Sequence, residues 1–191
     1  VTRRRPRDEP VIVAAVAAYM YEGTPLWSRL EPARKLLEET LPGESLYQVR
    51  ESSRITYYRH VVPTALEPRA DVVEDALPLF IMYAHNAAEE AAAGAPALRT
   101  RLPGLVYSAL RGFLAEKGEK ESSTVMRGLE VLRRSDEEGL SRGERLGPLY
   151  SLLFAVLVTA QIYASGVPVM RLSLAPLYAL AKRSIEALDE G

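Results

Sequence analysis

The run LYSLLFAVLVTAQIYA, residues 149–164, decides the fold. It carries no charge and is apolar all round, so it needs cover on every side. The uncharged stretch extends from Gly147 to Met170 between Arg145 and Arg171, long enough to cross a bilayer, which takes about 20 apolar residues. Ser151, Thr159, Gln161, Ser165, Gly166 and Pro168 dilute it. The expectation is therefore a buried helix at the centre of a bundle, with no membrane partner.

Amphipathic helices to cover it lie on both sides in the sequence. Ala70 to Ala93 places Val73, Leu77, Phe80, Ile81, Ala84 and Ala88 on one face, and Gly94-Ala95-Pro96 stops it. Leu98 to Lys117 follows, with Pro103 near its start, then a polar loop at Gly118 to Ser123 and a shorter helix from Thr124 to Arg134. Ser135 to Gly147 reads as a solvated connection. Leu172 to Leu188 closes the chain with Leu174, Leu177, Leu180, Ala181 and Ile185 inward. The fold class is all-α: a helical bundle with a central apolar helix, preceded by a small helical region.

Upstream, residues 1–9 form a flexible basic arm, 10–67 the small helical region and 68–191 the bundle, with Glu67-Pro68 as the boundary. Pro10 to Glu22 reads as a helix ended by Gly23, and Thr24-Pro25 as a helix start. Further helical positions from Trp27 to Leu41 end at Pro42-Gly43. Residues 45–62 admit two readings. As a helix pair, Ser52-Ser53 is the turn and Ile55 to Ala65 the second helix. As a hairpin, Tyr47 and Val49 alternate against Ile55, Tyr57 and Val61. The helical neighbours favour the pair.

The 191 residues, 48% hydrophobic and 26% charged, exclude a disordered chain and a disulfide-stapled miniprotein. There is no cysteine, hence no thiolate nucleophile or thiolate metal site. Arginine greatly outnumbers the four lysines, and Asn86, Gln48 and Gln161 are the only side-chain amides. Both a thermophilic prokaryote and a GC-rich genome give that bias, and a thermophilic prokaryote is the expectation. Arg3 to Arg5 and Arg7 ahead of Val11 to Met20 imitate a signal peptide, but Asp8 and Glu9 interrupt it, so a cytoplasmic protein is expected.

Little in the sequence points to catalysis. His85 and Glu89 can share a helical face, but a metal site needs three or four ligands and His60 is the only other histidine. Asp71, Glu74 and Asp75 complement the start of a helix, and Glu89-Glu90 reads as a solvated face. No phosphate-binding glycine loop and no nucleophile elbow occurs, so no catalytic residue, metal or cofactor is expected. Basic residues are the stronger signal. Arg50, Arg54, Arg59 and His60 surround Tyr57 and Tyr58. Arg99, Arg101, Arg111 and Lys117 follow one another near a second helix, and Lys182-Arg183 lies on the last. Arginine forks suit phosphate oxygens, although a net charge of −1 gives no global basic field. The candidate nucleic-acid-binding residues are Arg50, Arg54, Arg59, Arg99, Arg101, Arg111, Lys182 and Arg183.

Two resemblances sharpen this. Residues 45–62 resemble helix-turn-helix segments of transcription regulators, without the usual Ala in the second helix or Gly in the turn. Such a regulator would bind DNA and dimerise through its C-terminal bundle. Residues 76–191 resemble the small helical subunit of the type III-B (Cmr) CRISPR effector complex. Leu102-Pro103-Gly104-Leu105-Val106, Leu110, Phe113-Leu114, Lys117-Gly118 and Leu129 to Leu132 carry the likeness, with Met170 to Ser173, Leu180 to Arg183 and Ala187-Leu188. The chain departs from that family at Ser108-Ala109, at Ala181 and at Ser184. The resemblance implies a non-catalytic subunit that lines the complex and contacts the guide–target nucleic-acid backbone, RNA or DNA; other protein subunits or a second copy of the chain are the further expected partners.

Overall fold

The computed structural model describes residues 13–138, 143–166 and 171–189. The basic arm at 1–9 lies outside the described residues. The fold is all-α, with no strand among the described residues. Among the described residues a 3-10 turn at Val13–Ala17 precedes ten α-helices: α1 Pro25–Arg29, α2 Glu31–Thr40, α3 Gly43–Thr56, α4 Val62–Leu66, α5 Ala70–Ala91, α6 Ala95–Leu98, α7 Leu102–Glu116, α8 Thr124–Glu138, α9 Gly143–Ala164 and α10 Arg171–Asp189.

The apolar run at 149–164 lies in α9. Residues 152–160 are buried without interruption, so every face of the helix is covered. α10, α8, α5, α7 and α4 pack against it. The stretch Leu146–Ala164 is long and apolar enough to span a bilayer, yet most of it is buried inside the protein. That is the environment of a core helix.

Three sequence expectations are corrected. First, Pro10 to Glu22 is not an amphipathic helix: over its described part it is a short 3-10 turn followed by turns, and Val13 to Tyr21 are buried throughout. The segment has no polar face to offer water, so it fills the core between α5, α7, α3 and α9. Buried backbone without a helical ladder needs other partners. Arg34 supplies one, its Nη1 donating to the Ala18 carbonyl at 3.1 Å while its guanidinium stacks 3.6 Å from the Trp27 ring. Tyr21 anchors the end: at φ 68° it turns its ring inward and donates from its hydroxyl to Leu157 O at 2.8 Å.

Second, residues 43–66 form neither a hairpin nor a helix-turn-helix. Helix runs unbroken through Ser52-Ser53, a π turn occupies Tyr57–Val61, and α4 continues it. Two serines do not stop a helix, and Ser53 is buried on its packed side. Pro63 accounts for the π turn: it cannot donate to the turn before it and its ring presses on that turn. The widened turn bonds Val62 N–H to Tyr57 O, five residues back. α3 packs along α5, and buried residues on both sides of Glu67-Pro68 belong to one continuous core.

Third, Ser135 to Gly147 is not a solvated connection over its described part. α8 extends to Glu138 with Ser135 and Asp136 buried, and α9 begins at Gly143. α8 and α9 approach closely at Gly128, where an added Cβ would stand 2.7 Å from Leu152 Cδ1.

Candidate functional site

The eight predicted basic residues divide by their surroundings. Arg50 and Arg54 lie on α3 and Arg59 in the π turn, so these three share one continuous helical run. All three are exposed, and no carboxylate among the described residues lies within ion-pair reach of them. Arg50 stands 5.7 Å from the Tyr19 ring, which steadies it over an aromatic face. Arg111 is exposed but ion-paired with Glu121. Arg99 is half-buried in the turn before α7, and Arg101 is exposed beside it. Lys182 and Arg183 are exposed on α10.

Two exposed tyrosines complete the first group. Tyr47 is 57% and Tyr58 52% exposed, unusual for large rings in a chain with ample core. Positions 47, 50, 54 and 58 follow at intervals of three and four, which puts ring, guanidinium, guanidinium and ring on one helical face. Half-buried Glu51 shares that face. Tyr57 points inward instead, its hydroxyl donating to Gln161 Oε1 at 2.7 Å and its ring edge-on to Tyr21 and Tyr58. Burial pushes the Tyr57 hydroxyl up to about 12. The inner side of the same run is polar: Ser53 Oγ, His60 Nε2 and Thr64 Oγ1 are buried without a hydrogen-bond partner. His60 stacks on Tyr83 with ring centroids 5.7 Å apart, and burial, followed by the charge of Arg59, lowers its pKa.

The histidine and carboxylate on α5 do share a face. His85 Nε2 is 2.9 Å from Glu89 Oε1, and its Nδ1 is 3.3 Å from the Tyr150 hydroxyl. Tyr150 is buried on α9, so this set ties α5 to α9 rather than facing a substrate. Asp71, Glu74 and Asp75 are exposed at the start of α5, Asp71 beside Arg69. No group of three metal-ligating side chains occurs among the described residues.

Sequence reasoning missed two polar constellations. Asp136 is fully buried and accepts from the Tyr107 hydroxyl, whose pKa burial and then the aspartate charge drive well up. The second borders a cleft of about 990 Å³ between the α7–α8 loop, the end of α9 and the start of α10. Gly118, at φ 106°, ends α7 in the left-handed conformation and lets Glu119 N–H bond back to Leu114 O at 2.9 Å. That turn sends the Glu119 side chain inward. Its two carboxylate oxygens accept from Tyr163, at 2.6 Å, and Tyr178, at 2.7 Å. Burial, then the hydrogen bond to Glu119, raises the Tyr163 pKa. The signal available in the sequence was the Lys117-Gly118 helix stop, but nothing local linked Glu119 to tyrosines on two later helices.

No protein-family model matches the chain, and no curated protein or solved structure matches it.

Proposed function

We propose that this protein is a non-catalytic, nucleic-acid-associated helical protein of the cytoplasm, and that single-stranded nucleic acid lies along the outer face of residues 43–61. One observation carries the reading: exposed Tyr47 and Tyr58 flank the exposed Arg50 and Arg54, which have no ion-pair partner among the described residues, on one helical face, with Arg59 beside them. Arginine forks bind phosphates, and a tyrosine face stacks on any unpaired base. Stacking requires splayed bases, which favours single strands over duplex. Recognition of duplex DNA by a helix-turn-helix has no support, because the run has no turn at Ser52-Ser53.

The narrower assignment, a small subunit of a type III-B CRISPR effector, rests on the sequence resemblance at 102–132 and 170–188. Co-purification of guide RNA and partner subunits from the native cell tests it. For the interface itself, fluorescence anisotropy with a labelled uridine oligonucleotide is decisive. Charge reversal at Arg50, Arg54 and Arg59 together should abolish binding, and reversal at Lys182 and Arg183 should leave it. The opposite pattern would move the interface to α10. Tighter binding to duplex than to single strands would overturn the stacking reading.

A further inference from the structure

We propose that the cleft beside Glu119 is a binding site for a small organic cation, a primary or methylated amine whose positive group seats against the Glu119 carboxylate. Glu119 is only 6% exposed and lies in the wall of a cleft of about 990 Å³. An ionised carboxylate taken out of water is costly unless a cation or several donors compensate it. Two donors are in place, the hydroxyls of Tyr163 and Tyr178, one on each oxygen. No Lys, Arg or His among the described residues lies within ion-pair reach of it.

The tyrosine bonds also do positional work. Tyr163 comes from the end of α9 and Tyr178 from α10, so the carboxylate is held from two sides. Each oxygen keeps lone-pair capacity for a further donor. Both tyrosines line the cleft, and aromatic walls beside a carboxylate attract alkylammonium groups. Leu174 and Ala175 provide apolar wall for a short carbon chain, while Ser122 and Thr124 give hydroxyls at the rim. Lys120, also at the cleft, is exposed and free to turn its ammonium to solvent. A divalent metal ion is the poorer occupant, because hard cations take six or more oxygens and Glu119 is the one carboxylate among the described residues that line the cleft.

The test is isothermal titration calorimetry with butylammonium chloride, and with sodium butyrate as the opposite charge on the same chain. Wild-type protein should bind butylammonium and not butyrate. Glu119→Gln keeps the shape but removes the charge and replaces one acceptor oxygen by an NH2 donor, and should weaken butylammonium by about tenfold or more. Ala175→Trp, at an exposed wall position, fills the cleft and should abolish binding while far-UV circular dichroism stays unchanged. It keeps the test decisive if the Glu119 variant fails to fold. Equal binding of butyrate, no binding of butylammonium at millimolar concentrations, or full affinity in Ala175→Trp would overturn the proposal and leave Glu119 as a tie between α9, α10 and the loop.

Discussion

Arg54→Gln separates charge from stacking at the proposed interface. Arg54 is exposed and has no ion-pair partner among the described residues, so the substitution removes one positive charge without opening the core. Arg50 is the poorer choice, because its contact with the Tyr19 ring mixes a stability change of about 0.5–1 kcal/mol into the result. On single strands each neutralised phosphate adds about 0.7 to the slope of log K against log salt. Three arginines therefore give a slope of about −2.1, a fall in affinity of roughly 20-fold between about 50 and 200 mM salt. Arg54→Gln should reduce the slope to about −1.4 and the fall to roughly 7-fold. Tyr58→Ala should act differently: stacking contributes about 1–3 kcal/mol per base, so affinity drops at every salt concentration with the slope unchanged. Anisotropy titrations at several salt concentrations measure both quantities. An unchanged slope in Arg54→Gln, or a Tyr58→Ala effect confined to low salt, would refute the reasoning.

Other substitutions probe the scaffold. Phe154 is fully buried with its ring centroid 4.6 Å from that of Phe80, and Phe154→Ala should cost about 3–5 kcal/mol in urea unfolding; a loss below about 1 kcal/mol would show the face to be open. Tyr57→Phe leaves the buried Gln161 amide oxygen without its donor and should cost about 1–3 kcal/mol, read as a lower thermal midpoint. His60 is depressed in the folded state, so below its ordinary value of about 6.5 the unfolded chain takes up the proton first. Its contribution is complete above that pH and is lost as pH falls toward the folded value. The urea midpoint of wild type should thus drop between about pH 7.5 and 5.5, and less so in His60→Phe; identical pH profiles would contradict it.

Local patterning determined much of this protein. The helical period across 70–91, the proline-led start near Leu102 and the glycine stop at Gly118 follow from nearest-neighbour geometry, so each is legible without its partners. The core position of 149–164 was equally legible, since an uncharged helix with no polar face has to be covered. Exposure of Arg50, Arg54 and Arg59 could be anticipated from charge alone. Which arginines are already paired could not, because Glu121 reaches Arg111 only through the turn between α7 and α8. The burial of Val13 to Tyr21 is also a tertiary result: the Ala18 carbonyl finds its donor in Arg34 on a later helix. Ser52-Ser53 is helical because α5 packs along it, a decision made outside the local sequence. The Glu119 cluster was the least legible feature. Its tyrosines lie 44 and 59 residues away, and only the packing of α10 along α9 brings their hydroxyls to one carboxylate. Spacing within a helix is a property of the chain, whereas convergence between helices exists only once the core has closed.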